Sequence, residues 1–150
     1  MCLRGRLLTI CLLVLPAIVS AQDATVAGRT YSYAFVDEGG GDAEGIARLD
    51  AFIQQRLRNA GLLADGKGDG RIEVTVTHYY ARSDGARAWA GIMAGRDKVA
   101  SRVRVLDRGG NPLDEFEIEN SNKTAFGSTA GLHEKHADAI VERLRELGSQ

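Results

Sequence analysis

Ile72, Val74, Val76, His78 and Tyr80 occupy every second position of one segment, and that alternation limits the possible folds more than any other feature of the chain. A period of two belongs to a strand with one apolar face. The same period predicts a strand over Thr30–Val36, with Tyr31, Tyr33 and Phe35 opposite Thr30, Ser32 and Ala34. Val99–Leu106 and Leu113–Glu119 read as two further strands, joined by the tight turn Asp107–Pro112 into a hairpin. Arg102 and Arg104 can face Glu115, Glu117 and Glu119 across that hairpin, on its wet side.

Two segments follow a helical period instead. After the turn Asp37–Gly41, Asp42 is placed to cap a helix whose stripe is Ile46, Leu49, Ile53, Leu57 and Ala60. Gly61 stands where a helix C-terminus favours glycine. Near the end, Ser128 or Thr129 caps a second helix with Leu132, Ala137, Ile140, Leu144 and Leu147 on its apolar side. The order is β-α-β-β-β-α. We expect an α+β fold, a four-stranded mixed sheet with two helices on one face, whose first β-α-β unit is a right-handed crossover. The Asp65–Gly70 stretch reads as a flexible helix-to-strand loop, and Ala81–Gly95, rich in Ala and Gly, follows neither period.

The N-terminus carries an address. Arg4 and Arg6 precede the apolar run Leu7–Val14, Pro16 breaks it, and Val19-Ser20-Ala21 supplies small residues before a cleavage point. This is the pattern of a secretory signal peptide over residues 1–21, with one domain expected over residues 22–150. The apolar run is shorter than the ~20 residues needed to span a bilayer. The mature chain is expected in the periplasm or secreted. Both cysteines, Cys2 and Cys11, fall within the signal, so disulfides, thiolate metal sites and thiol catalysis are excluded after cleavage, and no membrane anchor is expected. Loss of the signal leaves 17 basic and 20 acidic residues, a net charge of −3 with His neutral. That balance argues against nucleic acid as a partner.

Chemistry-bearing residues are few. His133 and His136, three apart on the last helix, share a face, and His78 lies on the strand face with Val74 and Val76. If those faces meet, three imidazoles converge with an open position, the ligand count of catalytic zinc. Against this, His133-Glu134-Lys135-His136 is not H-E-x-x-H. His133 and His136 are expected near the surface, in their helix's first turns, and His78 in the core or at its edge. The Asp65–Gly70 loop fails as a calcium loop, since Lys67 and Val76 stand where oxygen ligands are needed, and no helix follows to make it a phosphate loop. Ser83, Ser101, Ser121 and Ser128 lie in no nucleophile motif, and there is no G-x-S-x-G. Asn122-Lys123-Thr124 matches a glycosylation acceptor. Gly91 and Gly95 frame a G-x-x-x-G that suits close backbone packing. Beside it, Trp89, Ile92 and Met93 are candidates for a partner contact, because Trp is common in binding hot spots and Met surfaces adapt.

The strand "RIEVTVTHYYAR", the glycine-rich "WAGIMAGRDKV" and the strand ending "VRVLDRGGNPL" together resemble small uncharacterised exported proteins of Gram-negative bacteria, often lipoproteins, that carry a domain of unknown function. Their fold is similar to the α/β domain of curli-secretion and penicillin-binding-protein activator lipoproteins. The resemblance implies a non-enzymatic envelope protein and transfers no site residues. This chain differs in having no cysteine just after the signal. The expected function is a periplasmic binding or accessory module acting by contact with an envelope protein, without cofactor or metal. A three-histidine metal-dependent hydrolase and a carrier of a small ligand are the alternatives.

Overall fold

In a computed structural model, the described residues are 28–82, 96–122 and 128–149. The elements run β1 (Tyr31–Asp37), α1 (Ala43–Asn59), β2 (Gly70–Tyr80), β3 (Lys98–Asp107), β4 (Pro112–Ser121) and α2 (Thr129–Gly148). This is the α+β order read from the periodicities. The sheet has the order β1-β2-β3-β4, with β1 parallel to β2 and the other pairs antiparallel.

Both helices begin on side-chain caps. The Asp42 carboxylate accepts from the Gly45 amide at 2.7 Å, and the Ser128 hydroxyl from the Gly131 amide at 3.0 Å. Each satisfies a backbone N–H that the first turn leaves without a partner. α1 ends at Ala60, and Gly61 follows at φ +71°, a left-handed conformation that glycine adopts without penalty. The stripe Leu49, Ile53 and Leu57 of α1 meets Leu132, Ile140 and Leu144 of α2 over the inner sheet residues Ile72, Val74, Val76 and Val103, all fully buried. Both helices therefore cover one sheet face.

The other face is wet. There Arg102 pairs with Glu115 and Glu117, and Arg104 with Glu115 and Glu73, as the register Arg102↔Glu117 and Arg104↔Glu115 requires. Lys98, not an arginine, takes Glu119. Exposed pairs of this kind contribute about 0–1 kcal/mol each.

One strand departs from its alternation. The β2–β3 register shifts between Val76 and His78, a β-bulge that adds one residue to β2. The extra residue inverts the phase beyond it. Tyr79 turns inward and is buried, whereas His78 and Tyr80 face solvent. The expectation that His78 and Tyr80 share a face with Ile72, Val74 and Val76 is thereby overturned. The bulge backbone and the Tyr79 ring press on the turn before α1. A Cβ on Gly39 would lie 2.9 Å from the Tyr79 amide, and one on Gly41 2.3 Å from its ring.

Candidate functional site

The polar chemistry of the domain gathers at one end of the sheet, where β2 and β4 finish, β3 starts and both helices have their N-termini. Arg82, just past β2, and Asp97, just before β3, form an ion pair at 2.9 Å with side chains 3% and 0% exposed. The same Asp97 oxygen accepts from the Arg82 amide at 3.1 Å. Asn122, just past β4, donates from its side chain to the other Asp97 oxygen at 3.2 Å and from its amide to the Asp97 carbonyl at 3.0 Å. A second Asn122 side-chain bond reaches the Ser128 carbonyl at the start of α2. One buried carboxylate thus ties together the roots of the segments 83–95 and 123–127. The Asn122 amide, the acceptor of the glycosylation motif, is held within this cluster.

His136 is fully buried, against the surface position expected for it. Its Nδ1 lies 2.9 Å from Asn120 Oδ1, and its Nε2 2.9 Å from Ser101 Oγ. The neutral ring donates to the amide oxygen and accepts from the hydroxyl. The order Ser–His–Asn is that of a nucleophile, a base and its orienting group. Ser101, beneath α2, is 1% exposed and His136 is fully buried, while Asn120 borders an open surface cleft with Gly131 and Lys135. Burial, with a smaller contribution from nearby His133, pushes the His136 pKa down to about 4, too low for a strong base at neutral pH. The chain fastens α2 to β3 and β4.

His133, 1% exposed, is also buried rather than superficial. Its Nε2 lies 3.0 Å from the Tyr79 hydroxyl, and its Nδ1 has no hydrogen-bond partner among the described residues. Burial is the main cause of its lowered pKa; Arg48 acts in the same direction and Asp42 against it. The Tyr79 hydroxyl occupies the space a Cβ on Gly45 would need, 2.2 Å away. His133 and Tyr79 form the floor of an open cleft of about 510 Å³ whose walls include Asp42, Arg48, Arg82 and Ser128.

The three histidines are not brought together. His78 points to solvent from β2, His136 is enclosed by β3 and β4, and His133 contacts Tyr79. Among the described residues no group of three metal-ligating side chains occurs. Trp89, Ile92 and Met93 lie outside the described residues, as does the signal segment. No helix among the described residues is long and apolar enough to cross a membrane. Sequence reading missed Arg82, Asp97, Ser101 and Asn120 as site residues. The histidines had a usable signal: His133 and His136 each stand four positions before a member of the apolar stripe, Ala137 and Ile140.

A family model described as a domain of unknown function (DUF4410) matches residues 42–125, from the N-cap of α1 past the end of β4. The chain belongs to this family. The matched region of the DUF4410 domain includes Arg82, Asp97 and Asn122, whereas β1 and α2 lie outside it. Two solved structures of PelC from Paraburkholderia phytofirmans, both described as dodecamers and one of them a point variant, share the fold. Their TM-scores are 0.57 and 0.56 at 10% identity, covering 77% of this chain and 86% and 87% of theirs. No curated protein matches the chain.

Proposed function

We propose that this DUF4410 domain is an exported, non-enzymatic binding or accessory module that works by protein contact at the end of its sheet where Arg82, Asp97 and Asn122 meet. The supporting observation is the buried Arg82–Asp97 pair with Asn122. A buried ion pair adds little net stability compared with apolar packing, and its best attested use is to specify geometry. Here it sets the spacing at the roots of residues 83–95, the segment that carries Trp89, Ile92 and Met93. We assign the partner contact to those three side chains. The buried serine, histidine and asparagine are bonded to one another, which fits a structural use of groups that could otherwise do chemistry. The signal pattern of residues 1–21 supports a contact in the cell envelope or outside it. That PelC is described as a dodecamer supports a second copy of the chain as one candidate partner.

The small-ligand reading has one observation in its favour, the cleft floored by His133 with its unpartnered Nδ1. Trp89→Ala tests the contact reading. A contact residue leaves urea stability within about 0.5 kcal/mol of wild type and abolishes capture of the envelope partner. A core residue costs about 3–5 kcal/mol on truncation. A loss of that size, or intact capture by a stable variant, refutes the assignment.

A further inference from the structure

We propose that the cleft between the Asp65–Gly70 loop and the Asp107–Pro112 turn binds a phosphate group. The cleft holds about 490 Å³ and lies at the end of the sheet where β1 and β2 start and β3 finishes, opposite the Arg82–Asp97 pair. It is therefore independent of the contact proposed above. Lys67 of the loop, Arg71 at the start of β2 and Arg108 of the turn all line it, and among the described residues Asp107 is the one carboxylate that does.

Glycines make the cleft possible. A Cβ on Gly68 would lie 2.6 Å from the Thr30 carbonyl oxygen, and one on Gly70 would collide with the Leu106 carbonyl. Without side chains at these two positions the loop can lie against β1 and the end of β3. The Asp69 amide holds it there by donating to the Thr30 carbonyl at 2.6 Å.

Donors outnumber acceptors along the walls. The amides of Gly66, Lys67 and Gly68 follow one another, and none of them donates to a backbone carbonyl among the described residues. Successive backbone N–H groups in a loop are a recurring anion-binding device. Arg71 gives Nη1 to Glu73 at 3.3 Å, and Arg108 gives Nη2 to Asp69 at 2.7 Å, each arginine being more than half exposed. Pairs so exposed are weak, and each guanidinium keeps its other nitrogens for a ligand. Asp107 competes little, because its two oxygens accept from the Asn111 amide at 2.8 Å and the Asn111 side chain at 2.9 Å.

The ligand class follows from these groups. Two planar guanidinium forks and one ammonium ion suit the several oxygens of a phosphate better than the two of a carboxylate. No helix follows the loop to supply its N-terminal amides, and β2 and the hairpin turn supply positive charge instead.

Inorganic phosphate titrated into the protein at fixed ionic strength should shift the Gly66, Lys67 and Gly68 amide resonances, with half-saturation at or below about 5 mM. Lys67→Glu and Arg108→Glu, both at exposed positions and checked for folding by circular dichroism, should each weaken binding at least about tenfold. Lys135→Glu makes the same change of net charge near the other end of the sheet and should leave binding unchanged. Vesicles of phosphatidylglycerol separate two sources of the phosphate. Retention of wild type but not of Arg108→Glu identifies a lipid headgroup, and absence of retention identifies a free phosphate ester. Half-saturation above about 5 mM, no weakening in either cleft variant, or equal weakening in Lys135→Glu overturns the proposal.

Discussion

Acid should loosen this domain through His136, and the size of the effect follows from where that ring sits. The imidazole is fully buried between Asn120 and Ser101, and its pKa falls to about 4 from an ordinary value of 6.5. The folded state therefore favours the neutral ring. Above about pH 6.5 both the folded and the unfolded chain hold it neutral, and the full stability is present. As pH falls below that value the unfolded chain takes up a proton that the folded chain refuses. Stability is then lost at about 1.4 kcal/mol per pH unit, reaching about 2.5 kcal/mol by pH 4.5. His133, also lowered by burial, acts in the same direction. Carboxylates titrate over the same range, so the informative quantity is a difference between proteins. Urea unfolding from about pH 7.5 to 4.5 should show a steep loss in wild type and a shallower slope in His136→Gln, which keeps polar atoms but cannot titrate. The His136 ring resonance should report its protonation directly by NMR. Parallel slopes in the two proteins, or a measured pKa near 6.5, would refute the reasoning.

Gly45→Ala sets two effects against each other: helix propensity favours alanine by about 1 kcal/mol, but the new Cβ meets the Tyr79 hydroxyl at 2.2 Å. Overpacking should win, with a net loss of about 1–3 kcal/mol in urea; a gain would show that Tyr79 and its bond to His133 move aside cheaply. Asp97→Ala leaves the Arg82 guanidinium buried without its partner, and thermal or urea unfolding should record a loss of about 3–5 kcal/mol. The double change Arg82→Met with Asp97→Leu should recover most of that loss, and failure to do so would show that the Asn122 bonds matter more than the ion pair.

What could be read in the sequence was what is decided locally. Asp42 and Ser128 cap their helices by a side-chain rule that operates within three residues, and Gly61 follows from the same kind of reasoning. The cross-strand arginines and glutamates followed from strand period and turn length. The bulge at Thr77 was hidden because Val76-Thr77-His78-Tyr79-Tyr80 offers a tyrosine to the core in either phase. What selects Tyr79 is the glycine pocket of Gly41 and Gly45 more than thirty residues earlier. The buried histidines were misplaced for a related reason. Position within the first turns of α2 suggested exposure, but Ser101 and Asn120 are brought beneath that helix only when the hairpin folds. The Arg82–Asp97–Asn122 cluster joins three strand ends far apart in sequence, and no spacing rule relates them.

That cluster also determines where the domain can be rebuilt. Arg82, Asp97 and Asn122, the residues that flank positions 83–95 and 123–127, are fixed by a single carboxylate. Doubling the length of such a closed segment costs only about 0.6 kcal/mol of chain entropy. The roots should therefore keep their positions over the layers below when peptides are inserted or exchanged between them. Fixed roots of this kind suit the domain to service as a display scaffold, in which recognition is rewritten at one pole.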